Sequence, residues 1–202
     1  DSIRLEQVGE HLVANFYKDN PDLRFHMEHA DWARLAPLRE LGFTGDDPEA
    51  PTSVSDYLET NGMVLELAGE LCAEELSPYA AHVDETGCSL EAGVASYCDR
   101  TRAQLEKFSE LGLMGLAIGR NYGGMGLSQT LYNAIVEMVT RGDASFMTIY
   151  AIGSCGELLE RFADDDVKDE FLPRIAAGAT AAMAFTEPDF GSNPGGMLTR
   201  AV

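Results

Sequence analysis

Positive charge is scarce in this sequence. Its 202 residues carry 14 Lys and Arg against 34 Asp and Glu, a formal charge of −20. Nucleic acids and anionic membrane surfaces attract basic patches, so neither is an expected partner. Histidine is as thin, with four in the chain. His26 and His29 lie three apart around Glu28, but the segment offers too few further ligands for a metal site, so none is expected. The four cysteines, Cys72, Cys88, Cys98 and Cys155, form no C-x-x-C pair. They read as free thiols of a reducing compartment, the cytoplasm or one such as the mitochondrial matrix. A run of about 18 apolar residues is missing, and so is a secretory pattern, which sets aside a membrane span and an export address. Nucleotide loops are absent too. No G-x-x-x-x-G-K-S/T occurs, and no G-x-G-x-x-G follows a strand.

What is present is helical patterning around an ordinary apolar content of 45%, enough for a substantial core. Leu5, Val8, Leu12, Val13 and Phe16 are spaced as one helix face, broken by Asn20-Pro21-Asp22. A second apolar pattern, Leu23, Phe25, Met27, Trp32, Leu35, Leu38 and Leu41, stops at Gly42. Asp46 to Pro51 is a linker by composition. Ser53 then caps a long helix reaching about Ala81, with Asp56 completing a variant capping box. His82 to Ser89 reads as a loop, and Ser89 as the cap of a helix ending near Leu111. Residues 111–128 hold six glycines in eighteen positions, which denies a stable helix and suits a tight buried reversal. Ser128 caps the next helix, with Leu131, Ile135, Met138 and Val139 on its inner face. Arg141-Gly142-Asp143 ends that helix and caps another, lined by Phe146, Ile149, Leu158 and Phe162. The same tripeptide would suit an integrin ligand, but not at a helix–helix turn. Asp164, Asp165 and Asp166 open a last helix whose face is Val167, Phe171 and Ile175.

After Gly178 the pattern changes. Ala182-Met-Ala-Phe-Thr-Glu187 is uncharged up to its last residue and reads as a strand. Pro188 ends it, and Gly191-Ser192 allows backbone N–H groups and a hydroxyl to approach a ligand closely. A strand followed by such a turn suits a planar, anionic ligand.

Thr186-Glu187-Pro188-x-x-Gly191-Ser192-Asn193 resembles the T-E-P-x-A-G-S-D signature of the acyl-CoA dehydrogenase family. Two upstream segments resemble that family in the same order. They are Tyr122-Gly123-Gly124-x-Gly126-Leu127 and Phe171-Leu-Pro-Arg-Ile-Ala-Ala-Gly178. Asn193 stands where Asp is usual and Phe190 where a small residue is usual. Residues 20–32 resemble the N-terminal extension of a long subgroup that includes 3-methylmercaptopropionyl-CoA dehydrogenases.

The resemblance implies a mainly α fold: a helical N-terminal domain with the first strand of the middle β domain. It places an N-terminal extension at 1–50, the helical domain at 51–178 and the start of the β domain at 179–202. It implies FAD as cofactor, with Met183, Phe185 and Thr186 along the flavin and Gly191 and Ser192 at the pyrophosphate, Ser192 also at the substrate. An acyl-CoA substrate, a partner of the electron-transfer flavoprotein type, a homo-oligomer and a place in fatty-acid β-oxidation follow from the same resemblance. The catalytic base would lie beyond Val202, so no catalytic residue is expected here, and the chain alone is expected to be inactive and to bind FAD weakly. An acyl-CoA oxidase fragment and a helical interaction module without flavin are the alternatives.

Overall fold

The computed structural model describes residues 14–200. The patterns at Leu5, Val8, Leu12 and Val13 lie outside them. The described chain is mostly helical. Helix α1 spans Pro21–His29, α2 Trp32–Arg39, α3 Val54–Leu71, α4 Ala80–Thr86 and α5 Asp99–Glu110. Then come α6 (Gln129–Gly142), α7 (Ala144–Ala151), α8 (Cys155–Phe162) and α9 (Asp165–Ala176). One two-stranded antiparallel hairpin, β1 Ser89–Glu91 with β2 Val94–Ser96, lies between α4 and α5.

The caps follow the sequence closely. Asn20 accepts from the Leu23 N–H, Ser53 from Asp56 and Ser128 from Leu131. The Asp143 carboxylate accepts the N–H groups of Ser145 and Phe146, so Arg141-Gly142-Asp143 is a helix junction. Arg141 pairs with Asp19, and Gly142 and Asp143 are buried, which leaves no displayed tripeptide for a receptor.

The core forms where α3, α6 and α7 pack together. Tyr57, Leu65, Leu71, Phe108, Leu131, Ile135, Met138, Phe146 and Tyr150 are all buried there. Leu23, Trp32 and Ala36 join the same cluster, so the N-terminal helices belong to this core. The glycine segment is the buried reversal that its composition predicts, with Leu113, Leu116 and Ile118 almost fully enclosed. Gly115 lies so close to α9 that a Cβ there would meet the Ala176 Cα at 2.9 Å.

Four expectations need correction. The helix expected to run to about Ala81 is interrupted: a π-turn at Cys72–Leu76 and a 3-10 turn at Ser77–Tyr79 precede α4, which ends at Thr86. The π-turn leaves the Glu75 carbonyl free for Arg100 and Gln104. Ser89 caps no helix. It opens the hairpin, and α5 starts only at Asp99. Leu158 and Phe162 do not continue the inner face of Phe146. A 3-10 turn at Ile152–Ser154 splits that helix, and both residues point outward. On α9 the buried residues are Leu172, Ile175 and Ala176, while Phe171 is exposed and sits under the Arg174 guanidinium.

Candidate functional site

The site begins at the end of α9. Gly178 adopts φ +100°, its N–H bonds the Ile175 carbonyl, and the Ala179 N–H bonds Arg174. These two bonds form a Schellman motif, which only a left-handed residue closes without strain. The motif ends the helices and sends Ala179 onward as irregular chain.

Ala182–Glu187, expected as a strand, makes no ladder hydrogen bond among the described residues. A strand needs a neighbour, and the only sheet described is the hairpin, whose two strands pair with each other alone. Met183 and Phe185 are about half exposed, at 48% and 52%. Thr186, Gly191 and Ser192 are exposed as well. No hydrogen bond of the described residues uses the Thr186 hydroxyl or N–H. Gly191 is folded against Thr186, whose Cγ2 would lie 3.4 Å from a Cβ built on the glycine. The structure therefore brings Thr186 and Gly191 together and leaves Ser192 beside them in the chain.

Glu187 makes this turn. Its N–H bonds the Phe190 carbonyl at 2.8 Å and the Phe190 N–H returns to its own carbonyl. Its carboxylate accepts the N–H groups of Leu198 at 2.9 Å and Thr199 at 2.7 Å. Sequence reading placed no role on Glu187, because only the returning chain supplies those donors. Phe190 fills the space over Gly196, where a Cβ would lie 2.5 Å from its ring.

The bonds from Leu198 and Thr199 hold the Glu187 carboxyl below the usual glutamate value. A lowered folded value stabilises the clasp above the ordinary range and withdraws it as pH falls through that lowered value. Amide-exchange protection at Leu198 and Thr199, corrected for intrinsic rates, should therefore disappear only in acid below the normal glutamate titration. In Glu187→Gln protection should be weak at every pH. Protection indifferent to both changes would show that the carboxylate does not hold these amides.

A cleft of about 460 Å³ opens at the start of the segment. Val83, Ile149, Ala181 and Ala182 line it, together with Cys88 and Tyr97. Its hydroxyls are largely committed elsewhere. Ser145 donates to Asp143, Thr148 to the Ser145 carbonyl, and Thr101 bonds the Cys98 sulfur. Asp84, exposed, is the one charged group on the wall. Sequence reading missed this cleft, since its wall comes from five separate stretches and has no motif.

The glycine turn is not a phosphate loop. The Gly123 N–H bonds the Arg120 carbonyl and the Gly124 N–H bonds Gly119. His29 bonds the Phe25 carbonyl and stacks on the Phe25 ring. The thiols of Cys72, Cys88, Cys98 and Cys155 are unpaired, and burial pushes Cys72 up to about 12. No described helix is long and apolar enough to cross a membrane.

Fold and site define a mostly helical domain followed by an apolar segment that makes no ladder hydrogen bond among the described residues. Residues 59–179 match the sequence family described as acyl-CoA dehydrogenase, N-terminal domain. The chain belongs to the acyl-CoA dehydrogenase family, a family of oxidoreductases that generally depend on FAD. It is 43% identical over 96 residues to a probable acyl-CoA dehydrogenase, FadE10, of Mycobacterium tuberculosis, across 46% of this chain and 15% of that protein. A probable acyl-CoA dehydrogenase of Bacillus subtilis, YngJ, is 32% identical over 143 residues, 69% of this chain and 35% of the relative. The mitochondrial very long-chain specific acyl-CoA dehydrogenase of Macaca fascicularis is 39% identical over 103 residues, 48% and 15% of the two. The matched region spans only 15% to 35% of these relatives.

Proposed function

We propose that this chain supplies the helical domain and one flavin-facing segment of an FAD-dependent acyl-CoA dehydrogenase, which desaturates an acyl-CoA thioester between its α and β carbons. The observation that carries this reading is Thr186. Its N–H and hydroxyl are unspent among the described residues, and exposed Met183 and Phe185 precede it. A planar, partly apolar cofactor with a polar edge matches that combination of donors and apolar surface. FAD, when bound, supplies the acceptor that takes the β-hydrogen as hydride while the α-hydrogen leaves as a proton.

In this reading the chain's own residues bind and orient. Met183 and Phe185 cover the ring system. Thr186 donates to the polar edge where negative charge gathers on reduction, which is electrostatic stabilisation of developing charge. Gly191 keeps the backbone close, and Ser192 donates to the pyrophosphate or the thioester. Residues 1–50 form an extension, 51–178 the helical domain and 179–202 the opening of a β domain. The cleft beside Ala181 and Ala182 receives the acyl chain, because its Ser and Thr hydroxyls are already bonded and apolar side chains make up much of its wall. An acceptor of the electron-transfer flavoprotein type, self-association and a reducing compartment accompany this activity.

The test uses the complete protein that carries this chain. Thr186→Val keeps the shape and removes the hydroxyl. It should slow flavin reduction by bound acyl-CoA about tenfold, since a hydrogen bond to a charged group contributes roughly 1.5 kcal/mol. Unchanged reduction would remove Thr186 from the site. A purified protein without a flavin absorption band would favour the interaction module. Rapid reoxidation of the reduced protein by oxygen would favour an oxidase.

A further inference from the structure

The segment after Ala182 has an interior of its own. From Ala182 to Arg200 every residue is exposed except Glu187, Phe190, Gly196 and Met197. Phe190 and Gly196 are in contact. A Cβ built on Gly196 would lie 2.5 and 2.6 Å from two ring carbons of Phe190. The Asn193 side chain reaches the same place, with Nδ2 3.0 Å from that Cβ. Gly196 is not among the glycines of positive φ. Position 196 therefore requires the space a missing side chain leaves, not the backbone freedom of glycine. Phe190 and Asn193, the two departures from the family signature, thus meet at one glycine.

The backbone closes around this contact. Pro194–Gly196 form a 3-10 turn, and the Gly196 N–H bonds the Asn193 carbonyl. Earlier in the chain, Glu187 and Phe190 exchange two backbone bonds. The Glu187 carboxylate then ties the ends together through the N–H groups of Leu198 and Thr199. A surface loop of this length, with adjoining ends and packed by its own side chains, is an Ω-loop. Gly191 and Ser192 lie within its span, and Thr186 immediately precedes it.

We propose that Phe190, packed on Gly196, and Glu187, clasped on Leu198 and Thr199, are positioning residues. They pre-form the turn at Gly191-Ser192 before its anionic ligand binds. The inference rests on the FAD reading above and deepens it. A loop ordered only on binding subtracts its conformational entropy from the affinity. A loop closed part of the time binds in proportion to that fraction. The clasp and the ring contact keep the closed form populated without flavin, and act on the ligand only through the turn.

The test uses the complete protein, stripped of flavin and titrated with FAD. Gly196→Ala puts a methyl where the ring lies and should weaken FAD binding about tenfold, within the range for overpacking. Phe190→Ala, which empties the interior, should weaken it as well. In that background Gly196→Ala should cost less than about twofold, because the ring no longer opposes the methyl. The same loss in both backgrounds would overturn the proposal. Once saturated with FAD, each variant should reduce its flavin with acyl-CoA at the parent rate. A lower rate at saturation would put these residues at the reacting flavin and not behind the turn.

Amide exchange supplies a readout without flavin. In the flavin-free parent, Leu198 and Thr199 should already be protected. Gly196→Ala should remove that protection, and the double variant should resemble Phe190→Ala alone. Protection that appears only with FAD would mean that the ligand orders the loop, which overturns the proposal while the FAD reading stands. A parent protein that binds no FAD would instead sink that reading, and the exchange data would still decide whether the loop is pre-formed.

Discussion

Glu40→Ala is expected to destabilise the fold by about 3 kcal/mol, the lower end of the range for breaking a buried ion pair. Glu40 has only 4% of its side chain exposed, and its two oxygens receive two nitrogens of Arg120 at 2.8 and 3.0 Å. Those bonds also favour the charged form of the guanidinium. The alanine variant leaves Arg120 partly buried with no carboxylate. Arg120→Met together with Glu40→Ala removes both charges and should recover part of the loss. Urea denaturation of the two variants gives the comparison. A loss below about 1 kcal/mol for Glu40→Ala, the level of a surface pair, would show that water replaces the carboxylate freely.

The effect should extend beyond stability. Glu40 follows α2, and the neighbouring Arg39 donates to the Gly126 carbonyl at 2.6 Å. Together these side chains fasten the N-terminal helices to the glycine reversal. The reversal packs through Gly115 on Ala176, and α9 leads directly into the Thr186 segment. Loosening the pair therefore acts on the site through packed backbone, without touching it.

Gly124→Ala is expected to cost at least as much, about 3 kcal/mol, the upper end for an overpacked position. A Cβ there would sit 2.6 Å from the Gly115 carbonyl oxygen and closer still to that of Ile118. Both oxygens are already acceptors, Gly115 for Met125 and Ile118 for Gly126. No flexible side chain can yield, so the turn itself has to open. Gly62 is the internal control. It lies inside α3 with nothing within 4 Å of an added Cβ. Gly62→Ala should stabilise by about 0.8 kcal/mol, the ordinary helix preference of alanine. Thermal unfolding of both variants checks the contrast. A Gly124→Ala protein as stable as the parent would mean that the reversal is not packed as described.

Local chemistry was legible wherever one residue acts on its own neighbours. Ser53, Ser128 and Asp143 each bond an N–H two or three residues on, so their caps are written in sequence. The inner face of α6 was legible too, because one uninterrupted amphipathic period has one solution. The hairpin was not. Ala92 occupies a turn position with positive φ where Asn or Gly gives the usual signal, so the segment looked like loop and helix. Leu158 and Phe162 misled for another reason. A periodic apolar face assumes a continuous helix, and the turn at Ile152–Ser154 resets the rotation.

The sequence by itself determined the helical class, the buried glycine reversal and the stretch in which Thr186, Gly191 and Ser192 lie. Each depends on short-range rules: capping bonds, the 3.6-residue period, and the backbone freedom of glycine at Gly178. Only the tertiary structure decided that Glu40 is buried on Arg120, 80 residues away, and that Glu187 clasps Leu198 and Thr199. It alone gathered Val83, Tyr97, Ile149 and Ala182 around one cleft. Such contacts carry no local signature. Their energy appears only when distant backbone has been brought together and water has been excluded between the side chains.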